Sequence, residues 1–530
     1  MSEVKRVYAF GKGADGVNRT EGNKDMKYIL GGKGANLAEM ANMGLPVPPG
    51  YTISCQTCIE YYNSTPPSFP AELLDDIKTY TADLEAKMGK KLGDVQDPLL
   101  VSVRSGAPFS MPGMMDTILN LGLNDESVQG LIAQTGNERF AWDSYRRFIQ
   151  MFSNVVLGVD GDEFENAINI KKRETGVKQD TELSASDLKD LVEVFKGIVA
   201  HEVSAEEYPS LVVDGKVAFP QDAEKQLHLA IEAVFSSWNN RRACDYRRME
   251  KIPDDIGTAV NVQTMVFGNK GETSATGVGF TRNPADGTKE YYGDFLTNAQ
   301  GEDVVAGIRL TEPIAKLKTL PGLEEAGREL DEVFAKLEDA YCDMCDIEFT
   351  IEQSKLWMLQ TRVGKRTARA ALKIAVDLVN DGVITKEEAV SRINPEQLDQ
   401  LLHPQFDTSV KHDVIAKGLN ASPGAAVGAA VFSADEAEAA AERGEKVVLI
   451  RWETNPDDLH GMIAAQGILT SHGGKTSHAA VIARGMGKPC VCGVDTLKID
   501  AKAKQATIEG TDITIKEGDI ISLDGTTGAV

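Results

Sequence analysis

Apolar residues recur along this chain at two spacings, and the switches between them mark out its elements. Leu37, Met40 and Ala41 repeat at the spacing of a helix buried on one side, whereas Tyr51 to Ser54 and Leu99 to Ala107 are short, nearly continuous runs typical of buried strands. From about residue 123 to 220 the period is helical and the background polar, with Phe140, Tyr145, Phe148 and Ile149 on one face. Strands and glycine turns return between Ile256 and Arg309. Val260, Val262, Met265 and Val266 form one apolar strand, Gly277 to Pro284 a second segment and Asn298 to Asp303 a third. Helices rich in Ala and Leu follow at 366–381 and 385–402, closed by His403-Pro404-Gln405. From Gly418 onward strands alternate with helices: Val447 to Arg451, Pro456 to Ala465, Ile468 to Thr470, then Val491 and further short strands. A chain of 530 residues exceeds one ordinary core, so the pattern predicts a multidomain protein of α/β and α+β class with three or four folding units.

Three stretches carry candidate chemistry. In the first, a short strand from Tyr28 is expected to lead into Gly31-Gly32-Lys33-Gly34 and a helix closed by Gly44. Glycines there permit close approach to phosphates and Lys33 supplies a point charge. The spacing is not that of a Walker loop, and a plain strand-to-helix connection has the same pattern. The strand Leu99 to Ala107 delivers Arg104 toward a loop, followed by the Met- and Gly-rich run Ser110 to Thr117, either a lid or a buried apolar turn. On the helical stretch, Arg146 and Arg147 either reach an anionic ligand or face solvent.

The second stretch runs from Asp346 to Arg362. Alternation puts Asp346 and Glu348 on one face and Ile347 and Phe349 on the other, and the returning strand pairs Gln360 with Arg362. With an odd-numbered loop such as Gln353 to Lys355, Asp346 lies opposite Arg362 and Glu348 opposite Gln360. Two neighbouring carboxylates call for a compensating charge, either Mg²⁺ or a cross-strand arginine. Upstream, Glu302 is a third possible metal ligand or a simple turn residue.

The third stretch is Gly467 to Gly487. Gly467-Ile468-Leu469 ends a strand, Gly473-Gly474 allow a tight excursion, Thr476 sits where an N-cap oxygen is wanted, and a helix through Ala479 to Ala483 stops at Gly485 and Gly487. His478 then lies in the first turn, where the helix dipole favours an anion. A capping histidine without chemistry has the same placement.

Composition narrows the partners. With 56 Lys and Arg against 80 Asp and Glu, the net charge of −24 argues against general binding to nucleic acid or to a membrane surface. A nucleotide would need a local basic site and Mg²⁺. The odd count of seven cysteines, despite Cys55-x-x-Cys58 and Cys342-x-x-Cys345, predicts reduced thiols. No hydrophobic signal core and no window of membrane-spanning length is visible, so a cytoplasmic location is expected.

The run Gly473-Gly474-Lys475-Thr476-Ser477-His478-Ala479-Ala480 resembles the phosphohistidine motif of the pyruvate phosphate dikinase family, with His472 where that family has Arg and Lys475 where it has Met. Lys33, Arg104, Glu302, Asp346, Glu348, Gln360 and Arg362 are similar, in order, to the family's nucleotide-binding half. The resemblance implies an ATP-grasp domain over 1–365 with a helical insertion at about 123–220, a helical linker at 366–412 and a swivelling β/β/α phosphohistidine domain at 413–530. It further implies that His478 carries the phosphoryl group. Lys33, Arg104, Gln360, Arg362 and Arg147 would bind the ATP phosphates, Glu302, Asp346 and Glu348 would hold Mg²⁺, and Thr476 would be a candidate for regulatory phosphorylation. The implied substrates are ATP and inorganic phosphate, with AMP and pyrophosphate released. Family members continue into a β/α barrel of about 250 residues that binds pyruvate or phosphoenolpyruvate. No barrel pattern precedes Val530, so the nucleotide half-reaction alone is expected here, and a homodimer when full length. A phosphoenolpyruvate synthase-like or other ATP-dependent phosphohistidine enzyme, or a non-catalytic phosphocarrier, are the alternatives.

Overall fold

The structure, a computed structural model, describes residues 5–13, 15–111, 113–306, 311–395, 398, 405–407 and 413–530, without the side chains of 302, 305 and 306. The expected chain end of the linker helix at His403 lies outside these residues. The chain divides into two compact units, one formed by residues 1–111 and 115–266, the other by 112–114 and 267–530.

The first unit is built on a five-stranded antiparallel sheet in the order Val7–Phe10, Gly50–Ile53, Ala259–Thr264, Val101–Gly106, Thr117–Leu121. The strand after the helical stretch thus inserts between two strands that precede it. The helical stretch contains Ser127–Thr135, Glu138–Leu157, Gly161–Thr175 and Ala185–Glu202, and continues through Ala223–Ser236 and Arg241–Met249. Phe140, Tyr145, Phe148 and Ile149 are all buried, as their spacing predicts.

One local expectation fails here. Tyr28 is not in a strand: Lys27–Asn42 is helical, broken at Gly31, whose φ is 66°. The break has a steric cause. A Cβ on Gly31 would lie 1.5 Å from the Gly106 carbonyl oxygen, and the Gly32 N–H donates to the Ala107 carbonyl at 2.8 Å.

The second unit holds two sheets. One is antiparallel, in the order Glu312–Pro313, Tyr292–Thr297, Ala275–Phe280, Cys345–Glu352, Lys355–Val363. Against it packs the helix Ala368–Asn380, where Phe280, Met344, Ala370, Ile374, Leu378 and Ile384 form one core. The fully buried Arg282 ties Glu338 to Asp377 of that helix at 2.7 and 3.4 Å, and Arg366 and Arg392 both engage Asp343. This part of the expected linker is fastened to the sheet by charge and by apolar contact.

The other sheet has six strands in the order Leu419–Ser422, Cys490–Cys492, Gly467–Thr470, Val447–Arg451, Ala425–Val431, Ile520–Asp524. Its four inner strands run parallel, as expected where helices alternate with strands, and both edges are antiparallel. It has its own core, including Val448, Ile450, Leu469, Val491 and Leu523, all fully buried.

Candidate active site

In the first unit, Arg104 does not sit in a loop. It lies inside the strand Val101–Gly106, 7% exposed, opposite Asn261 on one side and Thr117 on the other. Its guanidinium reaches the Gln263 side-chain oxygen at a long 3.5 Å. Lys33 follows the break at Gly31, and a Cβ on Gly106 would come within 3.2 Å of its Cβ. The close crossing of the two glycines therefore places Lys33 beside the end of the Arg104 strand. Arg147 lies on the helix Glu138–Leu157, where its Nε donates to Asp143 at 3.2 Å, and Arg146 donates to the same carboxylate at 2.7 Å. Burial alone would raise the Asp143 pKa, but the two guanidiniums hold it well below the usual carboxylate range.

In the second unit, the pairing of the carboxylate hairpin is as expected, reached by another route. Asp346 lies opposite Arg362 and Glu348 opposite Gln360. The loop, however, has two residues, Gln353 and Ser354, both with positive φ, and Glu352 pairs with Lys355. A bulge at Leu359, where the register shifts between Glu348 and Phe349, restores the offset that an odd loop would have given. Ile347 and Phe349 point into the core, fully buried.

Arg362 donates twice to Asp346 Oδ2, at 2.9 and 2.7 Å, and the Gln360 amide donates to Glu348 at 3.0 Å. Burial raises the Asp346 pKa, Arg362 pulls it down, and Glu348 pushes it up again. Its other oxygen, Oδ1, is buried and has no partner. A partnerless buried carboxylate oxygen near a second carboxylate is a donor set that a hard cation fits. Among the described residues no three His, Cys, Asp or Glu side chains converge on one point. The backbone of Glu302 belongs to the short helix Gly301–Ala306, but its side chain lies outside the described part.

His478 opens the helix His478–Met486. The cap is Ser477, not Thr476: its hydroxyl accepts from the Ala480 N–H at 3.5 Å. Gly485 is inside the helix, and Gly487, at φ 67°, ends it. The half-buried imidazole is held at Nδ1 by Thr454 Oγ1, 3.1 Å away, while Nε2 is buried and without a partner. Burial pushes its pKa down to about 4, so the ring is neutral at pH 7. Gly113, in the same unit, stands against the ring: a Cβ there would be 3.4 Å from Cδ2 and 3.8 Å from Nε2.

The loop before His478 is fixed by Arg484, 3% exposed, which donates to the carbonyls of Ala421 at 2.9 Å and Lys475 at 2.7 Å. Thr476, 5% exposed, donates to Asp294 Oδ2 at 3.5 Å, and the Lys475 ammonium lies 5.9 Å from the Tyr292 ring. His472 stacks on Trp452 with centroids 4.3 Å apart. Sequence reasoning missed Thr454 and the anchoring role of Arg484. Thr454 follows the strand Val447–Arg451 in a segment with no motif of its own, and only the parallel neighbour Gly467–Thr470 brings it to His478. All seven cysteines are free thiols, in accord with the odd count.

An unpartnered neutral imidazole nitrogen at a helix start is chemically able to act as a nucleophile. Residues 27–66, 66–321 and 322–381 match the model of the pyruvate phosphate dikinase AMP/ATP-binding domain, and residues 443–528 that of the PEP-utilising enzyme mobile domain. The chain belongs to the pyruvate phosphate dikinase family. It is 55% identical to pyruvate, phosphate dikinase of Clostridium symbiosum over 96% of its own length, and 53% identical over 99% to those of Rhizobium meliloti and, a chloroplastic form, Arabidopsis thaliana. It spans 57%, 58% and 52% of those relatives. Among the described residues no helix is long and apolar enough to cross a membrane.

Proposed function

We propose that the chain uses ATP and inorganic phosphate to phosphorylate its own His478, the nucleotide half of ATP + phosphate + pyruvate = AMP + pyrophosphate + phosphoenolpyruvate. The observation that carries this reading is the His478 ring itself, with Nδ1 engaged by Thr454 and Nε2 neutral and unpartnered. In the first step the Nε2 lone pair bonds to the β-phosphorus of ATP, the bond to the α-phosphate oxygen breaks, and AMP leaves. A phosphate oxygen then bonds to the terminal phosphorus, pyrophosphate departs and one phosphoryl group remains on Nε2. Thr454, accepting a hydrogen bond from Nδ1–H, keeps the Nε2 lone pair available and stabilises the cationic ring that forms.

Lys33, Arg104, Arg147, Gln360 and Arg362 are assigned to the phosphates. Asp346 and Glu348, with Glu302, would hold Mg²⁺, which when bound offsets charge on the phosphate oxygens. Thr476 is proposed as a site of regulatory phosphorylation: a phosphate there would face the Asp294 carboxylate, so the modification would repel the loop from that strand. Pyruvate as the final acceptor follows the relatives' names.

The test uses ATP labelled in the β-phosphate, with Mg²⁺ and phosphate. Label is expected on the wild-type protein and on His472→Ala, whose ring stacks on Trp452, and absent from His478→Ala. Label retained by His478→Ala removes that residue from the role. Release of free phosphate instead of pyrophosphate would favour a phosphoenolpyruvate synthase-like reaction with water as second substrate.

A further inference from the structure

Gln300 is 5% exposed, and both atoms of its amide, Oε1 and Nε2, are buried without a partner. The chain around it is fixed. Its own N–H donates to Asp303 Oδ2 at 2.9 Å, and the preceding Ala299 N–H donates to the Gly268 carbonyl at 2.9 Å. The following residue, Gly301, stands over the strand Ala275–Phe280, where a Cβ on it would be 4.0 Å from Thr276 Oγ1. Thr276 in turn meets the Thr350 hydroxyl across the strands at 3.2 Å. Thr350, Glu348 and Asp346 share one face of their strand by alternation. Two hydroxyls and two carboxylates thus line that face, and the backbone next to Gln300 stands over its Thr276 end.

Buried polar groups are almost always paired, and an amide with neither its donor nor its acceptor met is suited to a ligand that offers both. A fully ionised phosphate offers acceptors only, and the Asp303 carboxylate, which accepts from the Gln300 N–H, disfavours an anion beside this amide. A nucleoside offers both groups, either on the ribose hydroxyls or on the amino edge of adenine. We propose that Gln300 recognises the nucleoside part of ATP by a two-point hydrogen bond, Nε2 donating and Oε1 accepting. This inference rests on the nucleotide reading above and adds to it a residue that selects the nucleotide.

The test is equilibrium binding of ATP, 2′-deoxy-ATP and inosine triphosphate, each with Mg²⁺, to the full chain and to Gln300→Leu, together with melting of both proteins without ligand. ATP affinity is expected to fall about tenfold in the variant. One of the two analogues should already be weaker than ATP on the parent by a similar factor and be bound like ATP by the variant. A sugar contact marks 2′-deoxy-ATP and a base contact marks inosine triphosphate. The ligand-free variant should melt no lower than the parent, because leucine removes an amide that has no partner in the fold. Unchanged ATP affinity in Gln300→Leu, equal binding of all three nucleotides by the parent, or a lower melting temperature would each overturn the proposal. If the parent binds no ATP at all, it is the nucleotide reading that fails, and this inference with it.

Discussion

At His478, burial and one hydrogen bond leave a neutral ring whose Nε2 has no partner. The unperturbed imidazole pKa is about 6.5, so an exposed histidine would be partly protonated in slightly acidic solution. Burial lowers the value here to about 4. Labelling of His478 should therefore remain level as the pH falls from 7 to near 5 and decline only as the folded pKa is approached, as single-turnover labelling across that range would show. Stability shifts in the same window. The unfolded chain takes up a proton on this ring near pH 6.5 and the folded one does not, so stability is lost progressively as the pH falls from about 6.5 towards 4. Denaturation curves for His478→Ala should show a shallower decline over that interval. The candidate nucleophile was legible from its glycine and hydroxyl neighbours. Thr454, which orients the ring, was not, because their contact spans 24 positions and depends on two parallel strands.

The glycine break and the carboxylate hairpin illustrate how elements place side chains. Gly31 lets the helix Lys27–Asn42 pass over the Gly106 carbonyl and keeps Lys33 beside the Arg104 strand. Gly31→Ala would force a methyl group to 1.5 Å from that oxygen at a positive φ. A loss of roughly 3 to 5 kcal/mol is expected, measurable by urea unfolding together with weaker ATP binding. In the hairpin, side-chain alternation was enough to put Asp346 and Glu348 on one face. The bulge at Leu359 was not legible, because its sequence cue is an ordinary apolar residue. The turn itself gave a misleading cue, since Gln353 and Ser354 adopt the left-handed conformations usually taken by Asn and Gly. Similarly, Thr476 and Ser477 are both chemically fit to cap a helix, and the contact with Asp294 draws Thr476 aside.

At the scale of the molecule, the chain is two compact bodies. Lys33, Arg104 and Arg147 belong to the first, and Gln360, Arg362 and His478 to the second. Each has a sheet and a buried interior of its own, and the six-stranded sheet adds a separate core within the second. Unfolding should therefore depart from a single two-state transition. Scanning calorimetry is expected to resolve more than one heat-absorption peak, with Mg²⁺ and ATP moving the transition of the nucleotide-binding part upward by mass action. One sharp peak with equal calorimetric and van't Hoff enthalpies would count against this independence.

The order of amino acids by itself determined which segments are strands and helices over most of the chain, the shared face of the two carboxylates, and the histidine placed at a helix start. These depend on periodicity and on steric preferences that act over a few neighbouring residues. The tertiary structure alone decided that Thr454 meets Nδ1, that a bulge sets the carboxylate register, that Gly31 must lack a side chain, and that the Gln300 amide is sealed from solvent without a partner. Each of those depends on atoms brought together by packing from distant parts of the chain, and no local pattern encodes such a meeting.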